Sequence, residues 1–342
     1  MKVLNISLDK KISDKNSAGA KRMVEYKKLV DKYTVVSLDD KKGKLKNFFK
    51  IYFEAKKFLK QERYDVITVQ DVYFVGWLAV KLAKKFNIAL EIQVHGFEKF
   101  SGIRKILAKK ILRNADAIRV VSQGLSRKLV NEFKLRADKI TVVPIYTEHI
   151  THNIEPGRRT THNDGKFVFL TVGRLVPVKN IEMQIRAIKK LRIKNYELRI
   201  VGDGPLKKRL EIQSEKLGIA DKIKFLGWQD NLAKFYSQVD AFLLTSNAEG
   251  WGMVVVEAAQ FSLPIIMTDV GLAGEVIKDG ESGIVIPVGD QKALEESMVK
   301  LIEDKDLRQK LGEGAREAIK KLPTREETLA LYLKSWQKAI KK

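Results

Sequence analysis

At 342 residues, the chain exceeds the size at which one hydrophobic core stops growing, so two domains are expected. The absence of cysteine excludes disulfides, thiolate metal sites and thiol nucleophiles and suits a reducing compartment, while 44% hydrophobic residues and only 7 prolines exclude long disorder or a repeat array. The net charge of +23 is concentrated at the front, where residues 1–150 hold 33 Lys and Arg against 16 Asp and Glu; such a field serves solubility or attracts nucleic acid, anionic lipid headgroups or phosphorylated substrates.

The chain opens on KVLNISL, a short strand rather than a signal peptide, and no uncharged apolar run approaches the roughly 20 residues of a membrane span. A cytoplasmic protein is expected. In the following loop, DKKISDKNSAGA, Gly19 lets the backbone approach a ligand. After the strand YTVVSL comes KKGKLKNFFKIYFEAKKFLK, which interleaves Phe48, Phe49, Tyr52 and Phe53 with lysines. The strands YDVITVQ and ALEIQV follow, and the second delivers His95 and Gly96 to a strand end, where an imidazole can bond a sugar hydroxyl or a reacting centre. FSGIRKILAKKILRNA then sets Ile103, Ile106, Leu107, Ile111 and Leu112 on a helix with five cations. Basic amphipathic helices of this kind either lie on an anionic membrane or pack on a sheet and leave a solvated lysine face. AIRVVS and ITVVPI complete the first set of strands. The alternation of short Val/Ile/Leu runs with amphipathic stretches implies a parallel sheet covered by helices.

THNIEPGRRTTHNDG has no hydrophobic period and reads as an interdomain linker. The pattern restarts with FVFLTVG, which ends at Gly173; Arg174 and Lys179 follow in the loop, and Asn180 is set to cap a helix carrying Ile181, Ile185 and Ile188. A guanidinium and an ammonium at a strand's carboxyl end either neutralise a departing phosphate or are solvated loop charges. YELRIVGDGP places Gly202 and Gly204 in a turn, but Lys207 stands where a dinucleotide fingerprint would need its third glycine. IKFLG leads to Trp228 and Gln229. DAFLLTS, NAEGWG and MVVVEAAQFS make a strand, a loop and a helix whose first free amides, at Met253 and Val254 after Gly252, form an anion site. Glu257, in the second turn, either leans back toward that site and meets ribose hydroxyls or faces solvent, and Glu249 lies nearer the sugar of such a ligand. Asp304 and Asp306, the only D-x-D, fall in a late charged stretch and read as solvent-facing. PTREETLALYLKSWQKAI closes the chain as an amphipathic helix opened by Pro323 and Thr324.

Glu249 to Glu257 in EGWGMVVVE, an E-x7-E motif, followed by EAAQFSLPIIMTDVG and accompanied by GRL with a lysine beyond, VGDGP, FLG and His-Gly after a first-domain strand, resembles the retaining glycosyltransferases of family 4. The resemblance covers nearly the whole chain. It implies the α/β fold called GT-B, two Rossmann-like doubly wound domains facing across a cleft. Residues 1–157 would bind the acceptor, 158–322 the nucleotide sugar, and the helix 323–342 would cross back to the first domain. It further implies that Arg174, Lys179 and the amides near Gly252, Met253 and Val254 meet the diphosphate, with Gly173 and Gly202 also in the donor site. Glu257 would bond the ribose, Glu249 the donor sugar, and Trp228 and Gln229 would face the base. His95 and the Gly19 loop would lie on the acceptor side. Glu249, His95, Arg174 and Lys179 would be the catalytic set, with no metal and no cofactor. Its partners would be a UDP- or GDP-linked sugar, a glycan or lipid-linked acceptor, and an anionic membrane on the cytoplasmic side. The alternatives are a nucleotide-sugar epimerase of the same fold and, behind it, a basic nucleic-acid-binding protein; nucleic acid is not expected as a partner, since no RNA-binding signature or zinc pattern is present. Departures from the family pattern are the single glycine at 19, Trp251, Leu272 after TDVG, and PIYTE at the end of the first domain.

Overall fold

The apolar runs form two six-stranded sheets with every pairing parallel. The computed structural model describes residues 1–7, 17–37, 44–96, 100–147 and 165–341, and the chain divides into two units, Met1–Tyr146 with Pro323–Lys342, and Thr147–Leu322. The stretch read as a linker lies, except for Gly165, outside the described residues, as do positions 9–16 of the glycine loop.

In the first unit, β1 (Lys2–Ser7), β2 (Lys32–Ser37), β3 (Val66–Val69), β4 (Ala89–Val94), β5 (Ala117–Val120) and β6 (Ile140–Val142) stand in the order β2-β1-β3-β4-β5-β6. The connecting helices are α1 (Ala18–Lys28), α2 (Lys44–Gln61), α3 (Phe74–Phe86), α4 (Gly102–Asn114) and α5 (Gln123–Phe133), with α2 packed against α3 and α3 against α4. The second unit carries β7 (Phe167–Val172), β8 (Tyr196–Val201), β9 (Ile223–Gly227), β10 (Ala241–Leu244), β11 (Ile265–Thr268) and β12 (Ile284–Ile286) in the order β12-β11-β10-β7-β8-β9. Its helices are α6 (Ile181–Lys190), α7 (Lys207–Lys216), α8 (Ala233–Tyr236), α9 (Met253–Gln260), α10 (Gln291–Glu303) and α11 (Lys305–Ile319). Buried Val, Ile, Leu and Phe of β7, β8, β10 and β11 form the centre of its core with the apolar stripes of α6 and α10. Asp304 is the N-cap of α11, accepting from the Leu307 amide at 2.8 Å, so the D-x-D opens that helix with both carboxylates exposed.

α12 (Arg325–Ile340) begins with a capping box, Thr324 receiving the Glu327 amide at 3.2 Å and Glu327 the Thr324 amide at 2.8 Å. Although last in sequence, it belongs to the first unit: Trp336 is fully buried with Val3, Tyr26, Tyr33 and Val66. The ring of Tyr332 lies 4.6 Å from that of Tyr26.

Candidate functional site

In the second unit the chain leaves β7 toward β8 and β9, then returns to the opposite side of β7 with β10, β11 and β12. Ligands of doubly wound sheets bind beyond the carboxyl ends of the strands at such a reversal. The two segments that emerge there, after β7 and after β10, carry Gly173 to Lys179 and Thr245 to Gly252.

These segments are knitted together. The Asn247 amide donates to the Val178 carbonyl at 2.7 Å, and the Thr245 hydroxyl lies 3.1 Å from the Asn180 carbonyl. Beneath them, the buried Gln184 amide of α6 donates to Thr245 Oγ1 at 2.8 Å and Thr171 Oγ1 at 3.3 Å, tying the ends of β10 and β7 together under the loops. On this platform Lys179 Nζ pairs with Glu249 Oε1, which also accepts from Ser246 Oγ at 2.7 Å. The two side chains are only 18% and 5% exposed. A pair so sheltered leaves an uncompensated charge if one member is removed, a loss of about 3–5 kcal/mol.

Asn180 differs from expectation. It occupies the N-cap position of α6 in a left-handed conformation, φ 48°, and its side chain does not cap the helix; it bonds Asn247 Oδ1 at 3.3 Å. Arg174 is exposed and makes no ion pair among the described residues.

α9 starts at Gly252, whose φ of 103° favours glycine and which has no side chain to cap the helix. The amides of Met253 and Val254 therefore form an uncapped helix end, and Val255 is the first to bond back, to the Gly252 carbonyl at 2.9 Å. Glu257, one turn along, does not stand free in solvent: it is half-buried and accepts the Tyr236 hydroxyl at 2.8 Å. Burial holds its carboxyl above the ordinary carboxylate range, and the Tyr236 hydrogen bond works against that rise. The loop of Glu249 is closed from below by Gly271, φ 60°, where a β-carbon would stand 2.4 Å from the Trp251 carbonyl oxygen. Trp251 itself is buried.

The glycine turn after β8 runs close against the backbone of the segment after β7. A β-carbon on Gly202 would lie 1.9 Å from the Gly173 carbonyl oxygen, and one on Gly204 would lie 2.5 Å from that of Leu175. The absence of these side chains lets two strand-end loops pack against each other. Trp228 and Gln229 follow β9, the edge strand two places from β7. Trp228 is 67% exposed with Nε1 donating to Asp230 at 3.0 Å, while Gln229 turns its amide onto the Leu226 carbonyl at 2.8 Å. Neither touches the Lys179–Glu249 pair.

In the first unit, His95 follows β4 and is half-buried. Burial, then the charges of Arg119 and Arg22, push its pKa down to about 4, so the imidazole is neutral at physiological pH and offers hydrogen bonds rather than charge. Gly19 is not in a loop: it lies in the first turn of α1, which Ser17 caps by accepting from the Ala20 amide at 3.0 Å.

Three partners escaped motif reasoning. Ser246 and Thr245 were findable as the polar end of DAFLLTS. Tyr236 had no signal in its spacing, because it reaches Glu257 from α8, 21 residues earlier.

Two family models match in tandem, glycosyltransferase family 4 over residues 20–145 and glycosyl transferases group 1 over residues 155–318. An uncharacterised glycosyltransferase of Methanocaldococcus jannaschii is 29% identical over 301 residues, covering 86% of this chain and 77% of that protein. An α-1,4-N-acetyl-D-galactosaminyltransferase of Campylobacter jejuni, whose name specifies a glycan linked to undecaprenol through PP, is 28% identical over 286 residues, covering 81% of this chain and 76% of that protein. Three other bacterial relatives are matched over 48% to 62% of their lengths. Among solved structures, Anabaena HepE in complex with UDP-glucose superposes with a TM-score of 0.76 at 18% identity, covering 98% of each chain.

Proposed function

This chain belongs to the group 1 glycosyltransferases of family 4, with the paired doubly wound sheets of the GT-B fold, and we propose that it moves a sugar from a UDP- or GDP-linked donor to an acceptor hydroxyl with retention at the anomeric carbon. One observation carries the reading: Lys179 and Glu249, from two separate loops, meet at the strand-order reversal beside the uncapped start of α9.

The diphosphate would sit on the amides of Met253 and Val254, with Lys179 exchanging part of its bond to Glu249 for a phosphate oxygen and Arg174 closing from solvent. As the bond from the anomeric carbon to the phosphate oxygen breaks, charge collects on the leaving diphosphate, where these cations and amides are most strongly rewarded. The acceptor oxygen bonds the same face of the anomeric carbon, and its proton passes to the departing phosphate. Glu249 positions the sugar and stabilises its developing positive charge, Glu257 holds the ribose, and Trp228 and Gln229 border the base. His95 orients the acceptor as a neutral hydrogen-bonding group. No metal ion is assigned a role, because the cations supply the neutralisation. The acceptor is a glycan or lipid-linked hydroxyl held by the basic first unit at a membrane; the undecaprenol-linked glycan in the name of the Campylobacter relative and the UDP-glucose complex of HepE are compatible with this class.

Arg174→Ala and Glu257→Ala are each expected to lower transfer by roughly 10²–10³-fold while circular dichroism and thermal melting still report a folded protein. Near-wild-type turnover in both overturns the assignment. Chelation is expected to leave turnover unchanged, and a metal requirement would remove the neutralising role from Arg174 and Lys179.

A further inference from the structure

We propose that the starts of α3 and α4 form a surface that seats the first unit on an anionic lipid bilayer. On α4 the apolar stripe outruns the core. Ala108, Ile111 and Leu112 are buried, yet Ile103 is 84% and Ile106 71% exposed, so the first two turns of the helix project isoleucines that no described residue of the unit covers. Phe74, the first residue of α3, is 73% exposed. The Arg104 guanidinium lies 5.6 Å from the ring of Tyr73, which brings these two helix starts side by side. On α2, which packs against α3, Phe53 adds a further ring at 61% exposure.

The charge around this patch selects the occupant. α4 contains Arg104, Lys105, Lys109, Lys110 and Arg113 and no acidic residue. Of these, Lys105 pairs with Glu132 at 3.4 Å and Arg113 reaches the Phe133 carbonyl; Lys109 and Lys110 form no ion pair among the described residues. Nucleic acid would reward the cations but not two isoleucines and a phenylalanine. A bilayer rich in anionic headgroups rewards both, the apolar side chains entering the acyl boundary while the lysine stems carry their charges to the phosphates.

The position gives the surface a use. In a parallel sheet the helices begin at the carboxyl edge, and α4 is the helix that follows β4 and His95. A bilayer at these helix starts would lie along the edge to which His95 belongs, within reach of a lipid-linked acceptor. Only this last step rests on the proposed sugar transfer.

The experiment is co-sedimentation of the full chain with vesicles of phosphatidylcholine, with and without phosphatidylglycerol. Binding is expected to phosphatidylglycerol vesicles and to fade with added salt. The combined variant Phe74→Ser, Ile103→Gln, Ile106→Gln should lower partitioning roughly tenfold or more without lowering the melting temperature, because the three side chains are exposed. Lys109→Gln with Lys110→Gln should weaken binding to the anionic vesicles only. Failure of the wild-type chain to sediment with phosphatidylglycerol, undiminished binding by the apolar variant, or a dimer in sedimentation velocity that this variant dissolves would each overturn the proposal. The thermal shift of the same proteins with UDP and GDP is read in parallel: no shift in any of them counts against the donor site and leaves the bilayer result standing.

Discussion

Glu257 and His95 are both displaced from their usual titration, in opposite directions and with different consequences. Burial raises the Glu257 carboxyl, and the Tyr236 hydroxyl partly restrains the rise by bonding the ionised form. If the ionised carboxylate holds the ribose, nucleotide binding weakens as pH falls through this raised value. Tyr236→Phe removes the restraining bond, so the acidic limb of UDP binding is expected to move to higher pH, measurable by calorimetry from about pH 4 to 8. His95 cannot imitate this limb, because its own protonation is held down to about 4. A limb that stays in place or moves down in Tyr236→Phe would separate Tyr236 from the clamp.

At the scale of elements, the glycine turn after β8 shows what a motif does and does not reveal. VGDGP marks a tight turn, but only the structure shows that its tolerance for close approach is used against a neighbouring loop. Gly202→Ala would drive a β-carbon toward a backbone oxygen 1.9 Å away, at a φ of 134° that an alanine resists. A loss of about 3 kcal/mol or more is expected in urea unfolding, with nucleotide affinity falling because Gly173 is displaced; a loss below about 1 kcal/mol would mean the loops can part without cost. The strands themselves were legible, since buried parallel strands demand uninterrupted apolar runs. Lys179 and Glu249 were legible as strand-end charges, and the structure joins them. What was not legible depends on contacts between elements: the Tyr236 hydroxyl on Glu257, the Ser246 hydroxyl on Glu249, and the left-handed backbone of Asn180. The helix of Ile103 had two readings because a periodic stripe does not say how much of it finds a core; here its second half does and its first half does not.

At the scale of the whole chain, the last helix returns to the first sheet and meets it through charge as well as through Trp336. Glu91, in the middle of β4 and fully buried, accepts from the Ser335 hydroxyl of α12, from Thr68 Oγ1 at 2.5 Å, and pairs with Arg119 at 3.7 Å. Arg119 in turn lies 3.8 Å from the ring centre of Tyr332 on α12. Partners 244 residues apart are thus joined inside a core, where a charge is tolerated only while it remains paired. Such a pair fixes which surface of α12 meets the sheet, whereas an apolar contact alone would allow the helix to slide or roll. Glu91→Leu is therefore expected to cost about 3–5 kcal/mol by leaving Arg119 unpaired, and Glu91→Leu with Arg119→Met to recover most of that loss. Urea unfolding of the two variants decides it: equal losses would mean that shape, not charge, carries the seating of α12. The Arg119→Met single variant adds a second readout, since Arg119 also helps to depress His95; the imidazole is expected to titrate higher in that variant by NMR, linking the seat of the last helix to the protonation of the histidine that follows β4.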